Sequence, residues 1–260
     1  MIRIIELFLF SILILAFDVQ AACYKEIKSR LPSHGVVIFG EIHGTRELPA
    51  FFLDCVQEFY KNNERVQIFL EFPTDIDAIL KEYVHGETSL TKFISEPHWR
   101  KNDGRASIAM LTLLKEIKNT EIGHLPIFAI DVSKYVENRD AEMMRNFMKN
   151  FSPDSFNLVL VGNLHAQLTA YRRGTTIINP FASLLKGEVK EVVSFRAAYP
   201  SGSAWVCTPD CGLKNIDEND GDFGEFPINN VYWGKSEVKY SGVFKVGSIS
   251  ASPPARNVKD

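Results

Sequence analysis

The sequence lacks the short motifs that mark the commonest hydrolases and nucleotide-binding enzymes. It contains no G-x-S-x-G, no H-E-x-x-H and no phosphate-binding loop, which excludes the usual signatures of α/β-hydrolases, zincin proteases and P-loop proteins. It also lacks a basic stripe, since 29 Lys and Arg stand against 32 Asp and Glu. Nucleic acid is therefore disfavoured as the main partner, and we expect a small-molecule or peptide substrate.

Long hydrophobic runs are also scarce, and the most prominent one lies at the N-terminus. Residues 4–17 are almost wholly apolar behind Arg3, and residues 19–21 offer a small-residue cleavage site. This layout predicts a secretory signal peptide over residues 1–21, because the run is short for a membrane span. Glu6 interrupts the run, so an uncleaved N-terminal anchor is the alternative. We expect an exported protein, periplasmic or secreted.

Cysteine is scarce too, with four residues in the whole chain. All four follow the predicted cleavage site, and an even number in an exported protein indicates two disulfides. Three pairings are open; we favour Cys207–Cys211, which leaves Cys23–Cys55. Zinc binding by these cysteines is disfavoured, because the C-x3-C pair has no second pair of matching spacing. Cys23 also ends a lipoprotein-like site, so a lipid anchor there is an alternative, although Gln20 stands where an aliphatic residue is expected.

The chain does have a regular alternation of short apolar runs and helix-period segments. The runs are rich in β-branched and aromatic residues and predict buried strands at Val36–Phe39, Val66–Leu70, Ile127–Ile130 and Leu158–Val161. One-face apolar patterns predict helices over Leu48–Tyr60, Thr74–Val84, Ala106–Ile117 and Asp140–Phe151. This alternation predicts a three-layer α/β fold, with a mostly parallel sheet flanked by helices.

Beyond Pro180 the pattern changes to shorter strands separated by glycine, proline and acidic turns. We expect these strands to form a small C-terminal β extension, either at the sheet edge or as a cap. They are Val192–Ala198, Ala204–Cys207, Val231–Trp233 and Val243–Val246. Residues 22–251 are therefore predicted to form one α/β domain, and residues 252–260 a flexible tail.

Ionisable residues follow each of the four predicted parallel strands. Gly40-Glu41-Ile42-His43 follows the first, Glu71 the second, Asp131 the third and Gly162-Asn163-Leu164-His165 the fourth. Open α/β sheets bind ligands at the carboxyl ends of their strands, so we expect these side chains to share a cleft. The alternative is structural, because acids at strand ends often cap the next helix. Two matching G-x-x-H frames favour a functional interpretation.

This set of residues has two chemical interpretations. Two histidines with one or two carboxylates can bind zinc, manganese or iron and leave one position open. The metal would then lower the pKa of its bound water and generate hydroxide. Alternatively, His43 acts without metal as a general base on water, oriented by a carboxylate. The candidate catalytic residues, which are also the candidate metal ligands, are Glu41, His43, Glu71 and His165.

Further residues are candidates for binding the substrate: Arg46, Glu47, Arg105 and Asp131. Arg105 stands on a glycine turn before a predicted helix, where a guanidinium could bind a substrate carboxylate; a surface pair with Asp103 is the alternative. Trp99 either covers the site or anchors its own loop. The remaining histidines stand beside Gly or Pro in predicted loops, and we expect them to be solvated: His34, His85, His98 and His124.

The strand-end motifs resemble those of a known superfamily, which joins erythromycin esterases, ChaN-like haem-uptake lipoproteins and Tiki proteins. The resemblance covers most of the mature chain, through about Asn179, and rests on Gly40-Glu41-Ile42-His43-Gly44 with Glu47, then Glu71, Asp131 and Gly162-Asn163-Leu164-His165. The paired G-x-x-H frames are similar to those of Tiki-type metal-dependent proteases. The single residue between Glu41 and His43 is similar to the ChaN group, whereas erythromycin esterases have two residues there.

The resemblance implies an α/β fold with a polar cleft at Glu41, His43, Glu71 and His165. It also implies one of three activities: ester hydrolysis, peptide hydrolysis, or haem binding through a tyrosine. We therefore expect an exported hydrolase of ester or peptide bonds that is assisted by a divalent metal. The first alternative is an uptake protein that binds haem or another iron compound without catalysis. The second is a secreted effector or adhesion module with a vestigial site.

Overall fold

A computed structural model describes residues 22–219, 221–234 and 239–257, so the predicted signal peptide lies outside the described residues. The strands are β1 Val36–Glu41, β2 Val66–Pro73, β3 Ile127–Asp131, β4 Phe156–Gly162, β5 Tyr171–Arg173, β6 Thr176–Ile178, β7 Val192–Ala198, β8 Gly202–Cys207, β9 Cys211–Ile216, β10 Asn230–Trp233 and β11 Gly242–Lys245. The helices are α1 Cys23–Arg30, α2 Glu47–Lys61, α3 Asp77–Val84, α4 Leu90–Ile94, α5 Ile108–Asn119, α6 Arg139–Met148 and α7 Phe181–Glu188.

The main sheet has seven strands in the order β10-β11-β7-β1-β4-β2-β3. Neighbouring strands pair in parallel, except that β10 runs antiparallel to β11 at one edge. The predicted α/β fold with a mostly parallel sheet is therefore confirmed. In the described ranges, no helix is both long enough and apolar enough to cross a membrane.

Alternating residues of β1 explain why the sheet carries helices on both faces. Val37 and Phe39 belong to a large hydrophobic cluster that includes most of the buried residues of α1, α2 and α5. Val36 and Ile38 belong to a second cluster, which includes most of the buried residues of α6 and α7. Successive side chains of a strand point to opposite faces, so a run without polar residues requires an apolar layer on each side. The two apolar layers hold the strands in position, and the carboxyl ends of the parallel strands therefore lie at one edge of the sheet.

The C-terminal strands occupy a more central place than the sequence predicts. Strand β7 pairs in parallel with β1, and β11 then pairs with β7. Strand β1 is thus enclosed between β4 and β7, and all six of its residues are buried. Strands β8 and β9 form a separate two-stranded hairpin. Only this hairpin and the small β5–β6 hairpin lie outside the main sheet among the described strands.

Both favoured disulfides are present, Cys23–Cys55 and Cys207–Cys211. The first ties α1 to α2, and the second closes the β8–β9 hairpin. Since the Cys23 sulfur is bonded to Cys55, it has no free thiol for a lipid, which argues against the lipid-anchor alternative.

The segment expected to be a flexible tail is packed as far as the structure describes it. The backbone N–H of Ser252 donates to the carbonyl of Gly44 at 2.7 Å. The Ser252 hydroxyl accepts from the backbone N–H of Ala109, in the first turn of α5, at 2.8 Å. Ala255 is also buried. The last three residues of the predicted tail, 258–260, lie outside the described residues.

Candidate active site

The carboxyl ends of the neighbouring strands β1, β4 and β2 open into one cleft of about 480 Å³. Its base is a network of charged side chains, which we call the ionic floor: Glu41, His43, Glu71, Arg105, Asp131, Arg139 and His165. One side is formed by the β8–β9 hairpin, through residues that we call the hairpin wall: Trp205, Val206, Cys207 and Thr208. The parallel register brings these strand ends together, since Glu41 of β1 lies beside Gly162 of β4.

Glu71 is the centre of the ionic floor, and only 4% of it is exposed. Its Oε2 accepts from the backbone N–H of Gly162 at 2.7 Å, and its Oε1 accepts from Arg139 at 2.5 Å. Burial raises the pKa of Glu71, but the positive charges of His43 and His165 outweigh burial and hold this pKa well below its usual range. Glu71 is therefore ionised, and its charge attracts the groups around it.

His43 is held between two carboxylates. Its Nδ1 lies 2.8 Å from Oε1 of Glu41, and its Nε2 lies 3.3 Å from Oε2 of Glu71. Burial lowers the pKa of His43, but the charge of Glu71 and the hydrogen bonds to both glutamates raise it to about 10. The ring is protonated at neutral pH. The His43 side chain is 26% exposed. Among these three side chains, His43 is therefore the titratable group that faces the cleft.

Gly162 begins the second G-x-x-H frame, and its surroundings explain why a glycine stands there. A Cβ at this position would lie 3.0 Å from Nε2 of His43 and 3.5 Å from Oε2 of Glu71. A side chain would therefore crowd the imidazole and the carboxylate that the frame brings together. The backbone N–H of Gly162 also donates to that carboxylate. The glycine of G-x-x-H thus provides both space and a hydrogen-bond donor at the site.

Two arginines neutralise the buried carboxylates. Arg139 donates from Nε to Oδ1 of Asp131 at 2.7 Å and from Nη2 to Oδ2 at 2.7 Å. Arg105 donates to Oδ2 of Asp131 at 2.9 Å and to Asp103 at 3.0 Å. Asp131 also accepts from the N–H of Val132, and no described helix begins there. Asp131 therefore binds the guanidinium groups instead of capping a helix.

His165 is oriented by Asp140, which lies in the first turn of α6. The Nδ1 of His165 lies 2.7 Å from Oδ1 of Asp140, and its Nε2 lies 2.9 Å from Nη1 of Arg139. Burial lowers the pKa of His165, but the charges of Glu71 and Asp140 raise it above its usual value. Arginine can only donate, so the hydrogen bond from Arg139 to Nε2 forms only with the neutral ring, whereas the raised pKa favours the protonated ring. A proton on that nitrogen would break the contact with Arg139.

Two candidate substrate residues lie outside the cleft. Glu47 accepts hydrogen bonds from the backbone N–H of Ser250 at 2.7 Å and from its hydroxyl at 2.5 Å. Arg46 is exposed and lines a separate groove beside Ile108. Both stand at the start of α2, which carries them away from the ionic floor.

Sequence reasoning missed three residues that shape the cleft: Arg139, Asp140 and Trp205. The first two begin α6, after a loop that returns the chain to the carboxyl edge of the sheet. An adjacent Arg-Asp pair at a predicted helix start was the available signal. Trp205 lies on the β8–β9 hairpin, and nothing in its local sequence indicates where that hairpin packs.

His98 and Trp99 are buried and do not line the cleft. Trp99 is fully buried, with its ring 5.2 Å from that of Phe93 and 5.8 Å from that of Phe72. It therefore anchors its loop. The expectation that His98 is solvated is wrong, because its ring packs 4.8 Å from Phe72 and is only 3% exposed.

The ionic floor does not fit a divalent metal. Over the part of the chain that the structure describes, no group of three or more His, Cys, Asp or Glu is arranged to hold an ion. The guanidinium of Arg139 bonds to Glu71, Asp131 and His165. A positive charge thus stands among the predicted ligands, and it engages the Nε2 lone pair that a metal would need.

Comparisons with known proteins agree with this architecture. No protein-family model matches the sequence, and no curated protein matches it. Among solved structures, a succinoglycan biosynthesis protein aligns with a TM-score of 0.64 at 9% identity, over 88% of this chain and 92% of that one. A Bacillus cereus protein aligns with a TM-score of 0.59 at 12% identity, over 89% and 92%. A mutant of the erythromycin esterase EreC, in its open conformation, aligns with a TM-score of 0.58 at 11% identity, over 87% and 94%.

The chain therefore shares its fold with the succinoglycan biosynthesis protein and with the erythromycin esterase. The resemblance that the strand-end motifs indicate is thus confirmed at the level of the fold. In that fold, the ionic floor occupies the carboxyl edge of the parallel sheet, where open α/β sheets bind their ligands.

Proposed function

We propose that this chain hydrolyses ester or peptide bonds in the cleft, with His43 as the residue that transfers the proton. The observation that carries the proposal is the Glu41–His43 pair. Glu41 holds Nδ1 at 2.8 Å, while the ring is partly exposed in the cleft that Arg105 and Arg139 also line. A carboxylate that orients an imidazole in this way also positions the base of acyl-transfer enzymes.

The proposed reaction uses only side chains of the ionic floor. Nε2 of deprotonated His43 accepts a proton from water while the water oxygen bonds to the carbonyl carbon. The proton then passes to the leaving oxygen or nitrogen as its bond to that carbon breaks. Arg105 uses two of its five side-chain N–H groups on Asp131 and Asp103 among the described residues, so others can donate to the developing oxyanion.

The proposal needs no bound metal, since the residues of the ionic floor do not fit one. Elemental analysis of the purified protein tests this part of the proposal. Near-stoichiometric zinc, manganese or iron that is lost in the His43→Ala/His165→Ala double variant would contradict it. Haem binding is the alternative proposal, and it expects a Soret band after haem addition with no hydrolysis. The charged network at the base of the cleft favours hydrolysis.

We also propose that the protein is exported through a signal peptide at residues 1–21. Two disulfides support an oxidising compartment, because such bonds rarely persist in the cytosol. N-terminal sequencing of the protein after expression in a secreting host is expected to begin at Ala22. A chain that retains Met1 and stays in the membrane fraction would favour the uncleaved anchor.

The decisive experiment compares His43→Gln with Arg46→Ala on panels of esters and peptides. We expect His43→Gln to lower kcat by about 10²–10⁴-fold, the usual contribution of a positioned base. Arg46→Ala is the matched control, because Arg46 is exposed and lies outside the cleft. If both variants hydrolyse the panels as fast as the wild type, the proposal is wrong.

The pH profile separates the two roles that His43 could play. The pKa of His43 is about 10, so its basic form is scarce at neutral pH. If His43 is the base, kcat/KM rises about tenfold per pH unit and levels off near pH 10. A profile that is flat at neutral pH and falls above pH 10 would instead assign His43 as an acid.

A further inference from the structure

We infer that the hairpin wall selects the substrate, and that Trp205 determines a preference for an uncharged apolar or aromatic group beside the scissile bond. This inference rests on the proposed function, because it concerns the substrate of the same cleft. The wall residues Trp205, Val206 and Thr208 carry no charge, and the mechanism above does not use them. They line the same cleft as the ionic floor, together with Ile42 and Leu164.

Backbone contacts hold the hairpin wall in a fixed position relative to His43. The backbone N–H of Trp205 donates to the carbonyl of Gly44 at 2.9 Å. Gly44 has a φ of +75°, and a Cβ there would lie 2.3 Å from the carbonyl oxygen of Trp205. Only glycine allows this approach at this φ. The turn that follows His43 therefore packs directly on the backbone that carries the Trp205 ring.

A second glycine, Gly104, lets the segment that carries Arg105 pack against the turn that follows His43. A Cβ at Gly104 would lie 2.4 Å from the backbone nitrogen of Gly44 and 2.6 Å from the carbonyl carbon of His43. The indole N–H of Trp205 donates to the carbonyl of Asn102 at 3.0 Å. Three segments thus meet with almost no side-chain space between them. The proton-transferring group, the anion-binding guanidinium and the apolar wall share one rigid frame.

The hairpin is also fixed at both of its ends. At the tip, Cys207 and Cys211 lie opposite each other in the register and are joined by the disulfide. At the base, the backbone N–H of Ser203 donates to the carbonyl of Ile249 at 2.9 Å, and the Ser203 hydroxyl accepts from Ala251 at 3.1 Å. A wall held at both ends can discriminate between substrates by shape.

Charge indicates which substituent the wall accepts. The cations of the ionic floor are already paired with carboxylates: Arg105 with Asp131, Arg139 with Glu71, and His43 with Glu41. An anionic substituent would find no free cation on the uncharged wall. An aromatic wall residue, in contrast, can bury a large apolar area and contribute most of the binding energy of such a group. The substrate class is therefore a neutral ester or amide with an apolar or aromatic substituent.

The test measures kcat/KM for a series of 4-nitrophenyl esters, from acetate to hexanoate. We expect the wild type to prefer the hexanoate, and Trp205→Ala to lower the hexanoate-to-acetate ratio about tenfold, the scale of discrimination in an apolar pocket. Trp205→Phe keeps most of the preference, because an aromatic ring remains. Leu213→Ala is the matched control, since Leu213 is 65% exposed on the neighbouring strand and does not line the cleft.

An unchanged hexanoate-to-acetate ratio in Trp205→Ala would overturn the inference. If kcat/KM falls equally on every ester, the ratio is also unchanged, and Trp205 is a purely structural residue.

A binding measurement separates failure of this inference from failure of the proposed function. If the wild type hydrolyses no ester and no peptide, the proposed function fails, and titration calorimetry with hexanamide and hexanoate still tests the wall. We expect hexanamide to bind the wild type more tightly than the carboxylate does, and to lose about tenfold in affinity in Trp205→Ala. Equal binding of hexanamide to both proteins would overturn the inference.

Discussion

Two histidines near Arg105 lie in opposite environments. His43 belongs to the ionic floor, where two glutamates hold its ring. His98 lies in an aromatic enclosure, with its ring 4.8 Å from that of Phe72 and 5.1 Å from that of Trp99. Neither ring nitrogen of His98 makes a hydrogen bond of normal geometry to the described residues. Burial lowers the pKa of His98 to about 4, whereas the glutamates raise that of His43 to about 10.

The comparison shows that burial alone does not decide how a histidine titrates in this protein. Burial lowers the pKa of both rings, and only the carboxylates at the strand ends reverse the result. Those carboxylates are present because β1 and β2 end at the same edge. The sheet topology therefore sets the chemistry of His43, while the packing of one loop sets that of His98.

The largest effect is expected from Arg139→Met, which breaks the ionic floor. The variant leaves Glu71 and Asp131 buried without their main cation, and removing one partner of a buried ion pair costs about 3–5 kcal/mol. We expect the free energy of unfolding, measured with urea at pH 7, to fall by this amount. Arg145→Met is the matched control on the same helix, because Arg145 is 61% exposed and pairs with Glu142 at the surface. Similar losses in both variants would mean that the network does not stabilise the fold.

His43→Gln tests the electrostatic side of the comparison. The pKa of His43 is raised from 6.5 to about 10, so its protonated ring stabilises the fold fully below about pH 6.5. That contribution is lost as the pH rises toward 10, and it amounts to about 4 kcal/mol after allowance for partial exposure. We expect the wild type to exceed His43→Gln in unfolding free energy at pH 6.5, and the gap to close near pH 10. A gap that is constant with pH would contradict the raised pKa.

The strand-end residues could be predicted because their position follows from a simple pattern. Short apolar runs alternate with helices, so the strands run parallel, and the residue after each run must reach the same edge. Glu41, His43, Glu71, Asp131 and His165 all meet for this reason. Cys207–Cys211 was predictable from its short spacing.

Residues placed by loops and by long-range packing could not be predicted in the same way. Arg139 reaches Glu71 only because the loop after β3 turns back over the sheet. Trp205 reaches the cleft because two glycines, at 44 and 104, allow the hairpin to approach. His98 is enclosed by the ring of Phe72, which comes from β2, and by that of its neighbour Trp99. Periodicity carries no information about such contacts.

His98→Phe tests the aromatic side of the comparison. Because the pKa of His98 falls from 6.5 to about 4 in the folded protein, the unfolded chain binds the extra proton between these values. The wild type therefore loses up to about 3 kcal/mol of stability as the pH falls from 6.5 to 4. We expect His98→Phe to be more stable than the wild type at pH 4 and to lose less on acidification. His85→Phe, at an exposed position, controls for added hydrophobicity. If His98→Phe loses stability with acid as steeply as the wild type, His98 is not the buried group that titrates.

The smallest effect is expected from Glu47→Gln, which tests whether the functional site extends beyond the ionic floor. Glu47 follows His43 by four residues, yet its carboxylate binds Ser250 and not the cleft. The glutamine oxygen can replace one of the two hydrogen bonds, so we expect a loss of about 1 kcal/mol in unfolding free energy. We also expect an unchanged kcat/KM on the ester panel, whereas Glu71→Gln, which removes charge beside His43, lowers it. A loss of activity in Glu47→Gln as large as that in Glu71→Gln would extend the functional site along α2, because a carboxylate outside the ionic floor would then control the reaction.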